Sequence, residues 1–92
     1  MADITLEQLV RTALTVRHEH IRCQELAEFL RHEASWINME ATAYQLRNHL
    51  NNWRTALAEY DKFSKEYEFD TPDEVFTLHN LDKLVDDYRR AR

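Results

Sequence analysis

Glycine is absent from this chain, and proline occurs once, at Pro72. These are the two residues that most often allow a backbone to reverse sharply, and helices need neither. The 71 residues before Pro72 therefore read as long helices. Cysteine also occurs once, at Cys23, which excludes an intrachain disulfide and fits a reducing cytoplasm. No apolar run approaches the roughly 20 residues of a membrane span, so no membrane partner is expected. The segment Met1-Ala2-Asp3-Ile4-Thr5 lacks the charged and apolar regions of a signal peptide. No glycine-rich turn is available to hold a phosphate or an oxyanion, and no Ser/His/Asp set has a recognisable context. The expectation is a cytoplasmic protein that is not an enzyme and carries no cofactor.

The chain has 92 residues, of which 43% are hydrophobic and 32% charged, a mixture that suits one folded helical domain over residues 1–92. The formal net charge is -5, unevenly spread. Arg17 to Arg54 holds five acids, five arginines and four histidines, whereas Thr55 to Arg92 holds ten acids against six bases. That balance disfavours a generally basic nucleic-acid binder and is too dilute for an acidic mimic of DNA.

Thr5-Leu6-Glu7-Gln8 has the form of a capping box, with Thr5 as N-cap and Gln8 reaching back. From there Leu9, Ala13, Val16, His20, Cys23, Ala27, Leu30, Ala34 and Ile37 recur at spacings of four and three, one seam of a helix. Val10, Leu14 and Ile21 widen this stripe on one side and Leu26 and Phe29 on the other. A face that wide packs against two neighbours. A break is expected at Ser35-Trp36-Ile37-Asn38, where Ser35 and Asn38 are competent N-caps. A second seam follows: Met39, Ala43, Leu46, Leu50, Trp53, Leu57, Tyr60, Ser64 and Tyr67. Leu50 and Trp53, mid-seam, are expected core residues.

Thr71-Pro72-Asp73-Glu74 offers an N-cap, a proline at the first helical position and acids in the first turn, with Glu74 completing a capping box on Thr71. Val75, Leu78, Leu81, Val85 and Tyr88 supply its apolar face, and Arg89, Arg90 and Arg92 complement the negative end of the helix dipole. The pattern predicts an all-α fold: a long antiparallel hairpin with a C-terminal helix packed along it, a three-helix bundle with helices at about 5–34, 38–68 and 72–90. Two variants compete with it. A strand pair could cover Tyr67–Phe69 and Val75–Leu78, and the first helix could break near His18-Glu19-His20.

His18, His20, Cys23 and His32 are metal-capable, but only His20 and Cys23 share a helical face, and structural zinc wants four ligands. No metal site is expected. His20 reads as a core histidine and Cys23 as a small buried hydrophobe. More unusual is the outer face of the second segment, where Tyr44, Gln45, Asn48, Asn52 and Thr55 lie opposite the seam and Arg47, Asn51 and Arg54 flank it. Asparagine is a poor helix former, and a helix facing only solvent favours lysine and glutamate. An uncharged polar face with an aromatic suits contact with another protein or with base edges.

Glu25-Leu26-Ala27-Glu28-Phe29-Leu30 followed by Ala41-Thr42-Ala43-Tyr44-Gln45-Leu46-Arg47-Asn48-His49-Leu50 resembles a helix-turn-helix, over roughly residues 21 to 54. The resemblance implies that Gln45, Asn48 and Asn52 face bases while Arg47 and Arg54 contact phosphates. The connection from Leu30 to Thr42 is longer than that family's turn and has no glycine. The preferred expectation is a protein-binding module, a regulator or inhibitor of a larger protein, with Trp36, Tyr44, Gln45, Asn48 and Asn52 as its contact residues and Phe63 or Phe76 as further anchors. A DNA-binding regulator is the second reading. Self-association through the wide apolar faces, giving a homodimer, is the third.

Overall fold

A computed structural model describes residues 4–32 and 36–90. It contains three helices: α1 (Leu6–His32), α2 (Trp36–Glu66) and α3 (Pro72–Arg89). No strand occurs among the described residues, so the strand pair over 67–78 is not formed. α1 is one unbroken helix through His18-Glu19-His20. Ser35 and Ala34 lie outside the described residues. α2 is already helical at Trp36, so Asn38 sits inside its first turn and is not its cap.

Both helix starts written in the sequence are formed. At α1 the Thr5 backbone N–H donates to Gln8 Oε1 at 2.9 Å and the Gln8 N–H donates to Thr5 Oγ1 at 3.2 Å. This satisfies two donors that a helix N-terminus leaves open. At α3, Thr71 is extended (φ -139°, ψ 158°) and its Oγ1 accepts from the Glu74 N–H at 3.3 Å. The return half of this box differs from expectation, because the Glu74 carboxylate takes the Asp70 N–H at 2.8 Å instead of that of Thr71. The Asp70 N–H first and the Tyr67 hydroxyl second hold the Glu74 carboxyl below its usual range.

α1 and α2 pack antiparallel along their lengths. Leu9 and Ala13 cluster with Ala56 and Tyr60 at one end. Glu19 Oε2 meets His49 Nδ1 at 2.5 Å midway, and Leu26 lies beside Thr42 towards the hairpin tip. α3 runs back along α1, antiparallel to α2. The Tyr60 hydroxyl donates to Asp82 Oδ1 at 2.7 Å, and Arg89 pairs with Asp61. The Tyr60 side chain is buried, and burial first and the Asp82 contact second push its hydroxyl far above the ordinary tyrosine range.

The wide stripe of α1 does serve two neighbours, as its width implied. The core contains Leu9, Ala13 and Val16 of α1, Ala56 and Tyr60 of α2, and Leu78, Leu81 and Val85 of α3. Several seam positions depart from expectation. Thr42 and Ala56 are buried on α2 whereas Ala43 is exposed, so the row Thr42, His49, Ala56 and Phe63 broadens the buried face beside the expected seam, in which Tyr60 is buried and Leu46, Leu50, Trp53 and Leu57 are half-buried. Val75 and Leu14 are exposed, and Ile37 starts α2 in solvent instead of ending the seam of α1. The resulting molecule measures 54 × 21 × 17 Å.

Candidate functional site

At 1.5 Å per residue, the 31 residues of α2 extend about 46 Å and the 18 of α3 only about 27 Å. α3 therefore covers one end of the hairpin and stops part-way along it. It stops at a three-ring junction. The His20 ring lies 5.2 Å from that of Trp53 and 5.4 Å from that of Tyr88, tilted against both. One aromatic comes from each helix.

Beyond this junction the groove between α1 and α2 stays open. It is a cleft of about 450 Å³, lined on α1 by His20, Cys23, Gln24, Ala27, Glu28 and Arg31 and on α2 by Leu46, Leu50 and Trp53. Leu50, expected in the core, is a half-buried wall of this cleft. Trp53 is also half-buried, with one side against the core and the other facing the cleft. The sequence marked these positions as apolar seam. What it could not mark was that the covering helix ends early, which depends on where α3 sits.

Burial shifts both titratable groups on the floor of the cleft towards their uncharged forms. His20 is only 4% exposed, and burial pushes its imidazole below the ordinary histidine range. Burial, then the nearby Glu19 charge, push the Cys23 thiol up. A thiol in that state is a poor nucleophile, since the thiolate is the reactive form. Among the described residues His20 Nδ1 and Trp53 Nε1 are buried and meet no hydrogen-bond partner. Among the described residues no group of three or more His, Cys, Asp or Glu side chains converges as a metal site.

The expected contact residues all lie at the tip half of the hairpin. Trp36 is 75% exposed and Tyr44 68%, and Gln45, Asn48 and Asn52 are exposed as well. Ile37 and Phe29 are exposed there too. The remaining large exposed apolar side chains, Leu14, Phe69, Val75 and Phe76, sit along the half that has a full core. Phe63 packs partly against that core.

Helical rotation of about 100° per residue divides the polar set. Arg47 and Arg54 fall beside Leu50 on the bank of the cleft, whereas Gln45, Asn48 and Asn52 fall around the other side of α2. The residues that the helix-turn-helix resemblance assigns to phosphates and to bases thus diverge around the helix. α1 and α2 pack lengthwise, where that motif joins two helices at about 90–120°.

Comparison of the chain with protein-family models, with curated proteins and with solved structures finds no match. Among the described residues no helix is long and apolar enough to cross a membrane.

Proposed function

We propose that the chain is a non-enzymatic protein-binding module, a regulator or inhibitor that acts by occupying the surface of a larger protein. The observation that carries this reading is the surface of the tip half of the hairpin. Among the described residues an open cleft lies on one side of it, and Trp36, Ile37 and Tyr44 are exposed. Exposed large aromatics are typical anchors of protein interfaces. Burial, which raises the Cys23 thiol pKa and lowers that of His20, supports a binding role over a catalytic one. A single buried cysteine supports a cytoplasmic setting.

The test is affinity capture from the source organism, comparing the natural chain with a Trp36→Ala/Tyr44→Ala double variant. Both side chains are exposed, so the fold is expected to persist. A partner captured by the first and lost by the second supports the reading. Identical sets of captured proteins contradict it at these residues. A salt-sensitive shift of DNA by the natural chain, abolished by Arg47→Ala, would move the reading to nucleic acid.

A further inference from the structure

We propose that the open half of the α1/α2 groove seats an acidic amphipathic helix of about three turns from a partner protein, laid end to end with α3. This rests on the protein-binding reading above and names the class of partner segment.

The first support is continuity. α3 lies in the same groove, burying Leu78, Leu81 and Val85, and its track ends where Tyr88 meets His20. The stripe of α1 that carries α3 does not end there. Leu9, Ala13 and His20 lead on to Ala27 and Arg31 at the same helical spacing. From His20 to Arg31 is a run of about 18 Å, three helical turns. Cys23 and Ala27 are small, which lets another helix approach at the usual 8–10 Å between axes. Leu46 and Leu50, one turn apart, form the opposite wall. The matching occupant is a helix with apolar side chains at i, i+3 or i+4, and i+7.

The second support is charge. Arg47 and Arg54 flank Leu50 on the α2 bank, both exposed, and neither forms an ion pair among the described residues. On the α1 bank Arg31 is already held by Glu28 at 3.4 Å. Glu40 lies two turns from Arg47 on the same side of α2, so this bank carries two arginines against one carboxylate, a positive balance in a chain whose net charge is -5. A helix bearing carboxylates along its α2-facing edge complements the two arginines, and a basic one is repelled. A second copy that met this face with its own cleft would offer the same two arginines, not their complement.

The experiment titrates the full chain with a synthetic helical peptide of about 14 residues, long enough for three turns. The peptide carries leucines at i, i+4, i+7 and i+11 with flanking glutamates, and a control has lysines for the glutamates. Binding is followed by backbone amide shifts. The expected result is that the acidic peptide shifts Cys23, Ala27, Leu50 and Arg54. The lysine control, and an Arg47→Glu/Arg54→Glu chain with the acidic peptide, should each bind about tenfold more weakly. Both arginines are exposed, so that variant keeps the fold. Equal binding of the two peptides would overturn the proposal, as would shifts confined to Tyr44, Asn48 and Asn52. So would a dimer in sedimentation that Leu50→Asp converts to folded monomer, which gives the cleft to a second copy. If neither peptide binds while capture of a partner still depends on Trp36 and Tyr44, this inference fails and the protein-binding reading stands.

Discussion

The two ends of this hairpin are built from the same kind of sequence and reach different states. At the end holding Leu9, Tyr60 and Val85, three helices close around side chains with almost no exposure. At the tip, Cys23, Leu26 and Thr42 are buried between two helices, and Leu46 and Leu50 remain half-open. Heptad spacing is equally good in both halves. What separates them is the length of α3. A seam states that a helix has an apolar face, and the number of partners on that face is a tertiary property.

The largest expected effect contrasts the two ends directly. Leu9→Ala empties a fully buried site and should destabilise the chain by about 2–5 kcal/mol, whereas Leu50→Ala removes a half-exposed side chain and should cost roughly 1 kcal/mol. Chemical denaturation of both variants checks this. Equal losses would mean that the tip is as well covered as the core.

Next in size is the tie between α2 and α3. Tyr60→Phe removes the hydroxyl that Asp82 accepts and should cost roughly 1 kcal/mol. A thermal melt unchanged by the substitution would place the attachment of α3 in its apolar face alone. Thr71→Ala removes the N-cap of α3 and should cost about 0.5–1 kcal/mol. Its effect should appear as loosening of α3 first, seen in amide exchange of Leu78 and Leu81, with the tip half of α1 unaffected.

A smaller effect tests the boundary between the halves. Burial holds the folded His20 pKa below the ordinary value, so just below pH 6.5 the unfolded chain binds the proton first. Stability should fall as the pH drops through that window. His20→Gln should flatten this part of the profile, measured as the difference between the two chains, because His49 and the other histidines are common to both. An unchanged slope would show that His20 is not sealed between Trp53 and Tyr88.

Much of the architecture was legible because its signals are local. The Thr5/Gln8 box, the Thr71-Pro72 start and the absence of glycine each act within a few residues. The start of α3 follows from them, whereas the break expected at residues 35–38 does not, since Trp36, Ile37 and Asn38 are already helical. The burial of Thr42 and Ala56 is not legible in the apolar pattern of α2, because these small, weakly apolar residues fill the close approach between helices while the more apolar Leu57 and Leu50 lie at its edge. The asparagines of α2 stand out by their poor helix propensity and Trp36 and Tyr44 as aromatics off the seam, and all are exposed. The cleft was not identified, because Cys23, Ala27, Leu46 and Leu50 look like any core seam until the end of α3 is placed beside them.

The central claim is that the tip half is a two-helix layer left open where α3 stops. Residue-resolved native-state hydrogen exchange on the full chain tests it most directly. The account predicts that amides of Leu9–Val16, Ala56–Tyr60 and Leu78–Val85 open only with global unfolding, while those of Cys23–Leu30 and Thr42–Leu50 open at distinctly lower free energy. Uniform protection from Leu9 to Leu30 along α1 would contradict it.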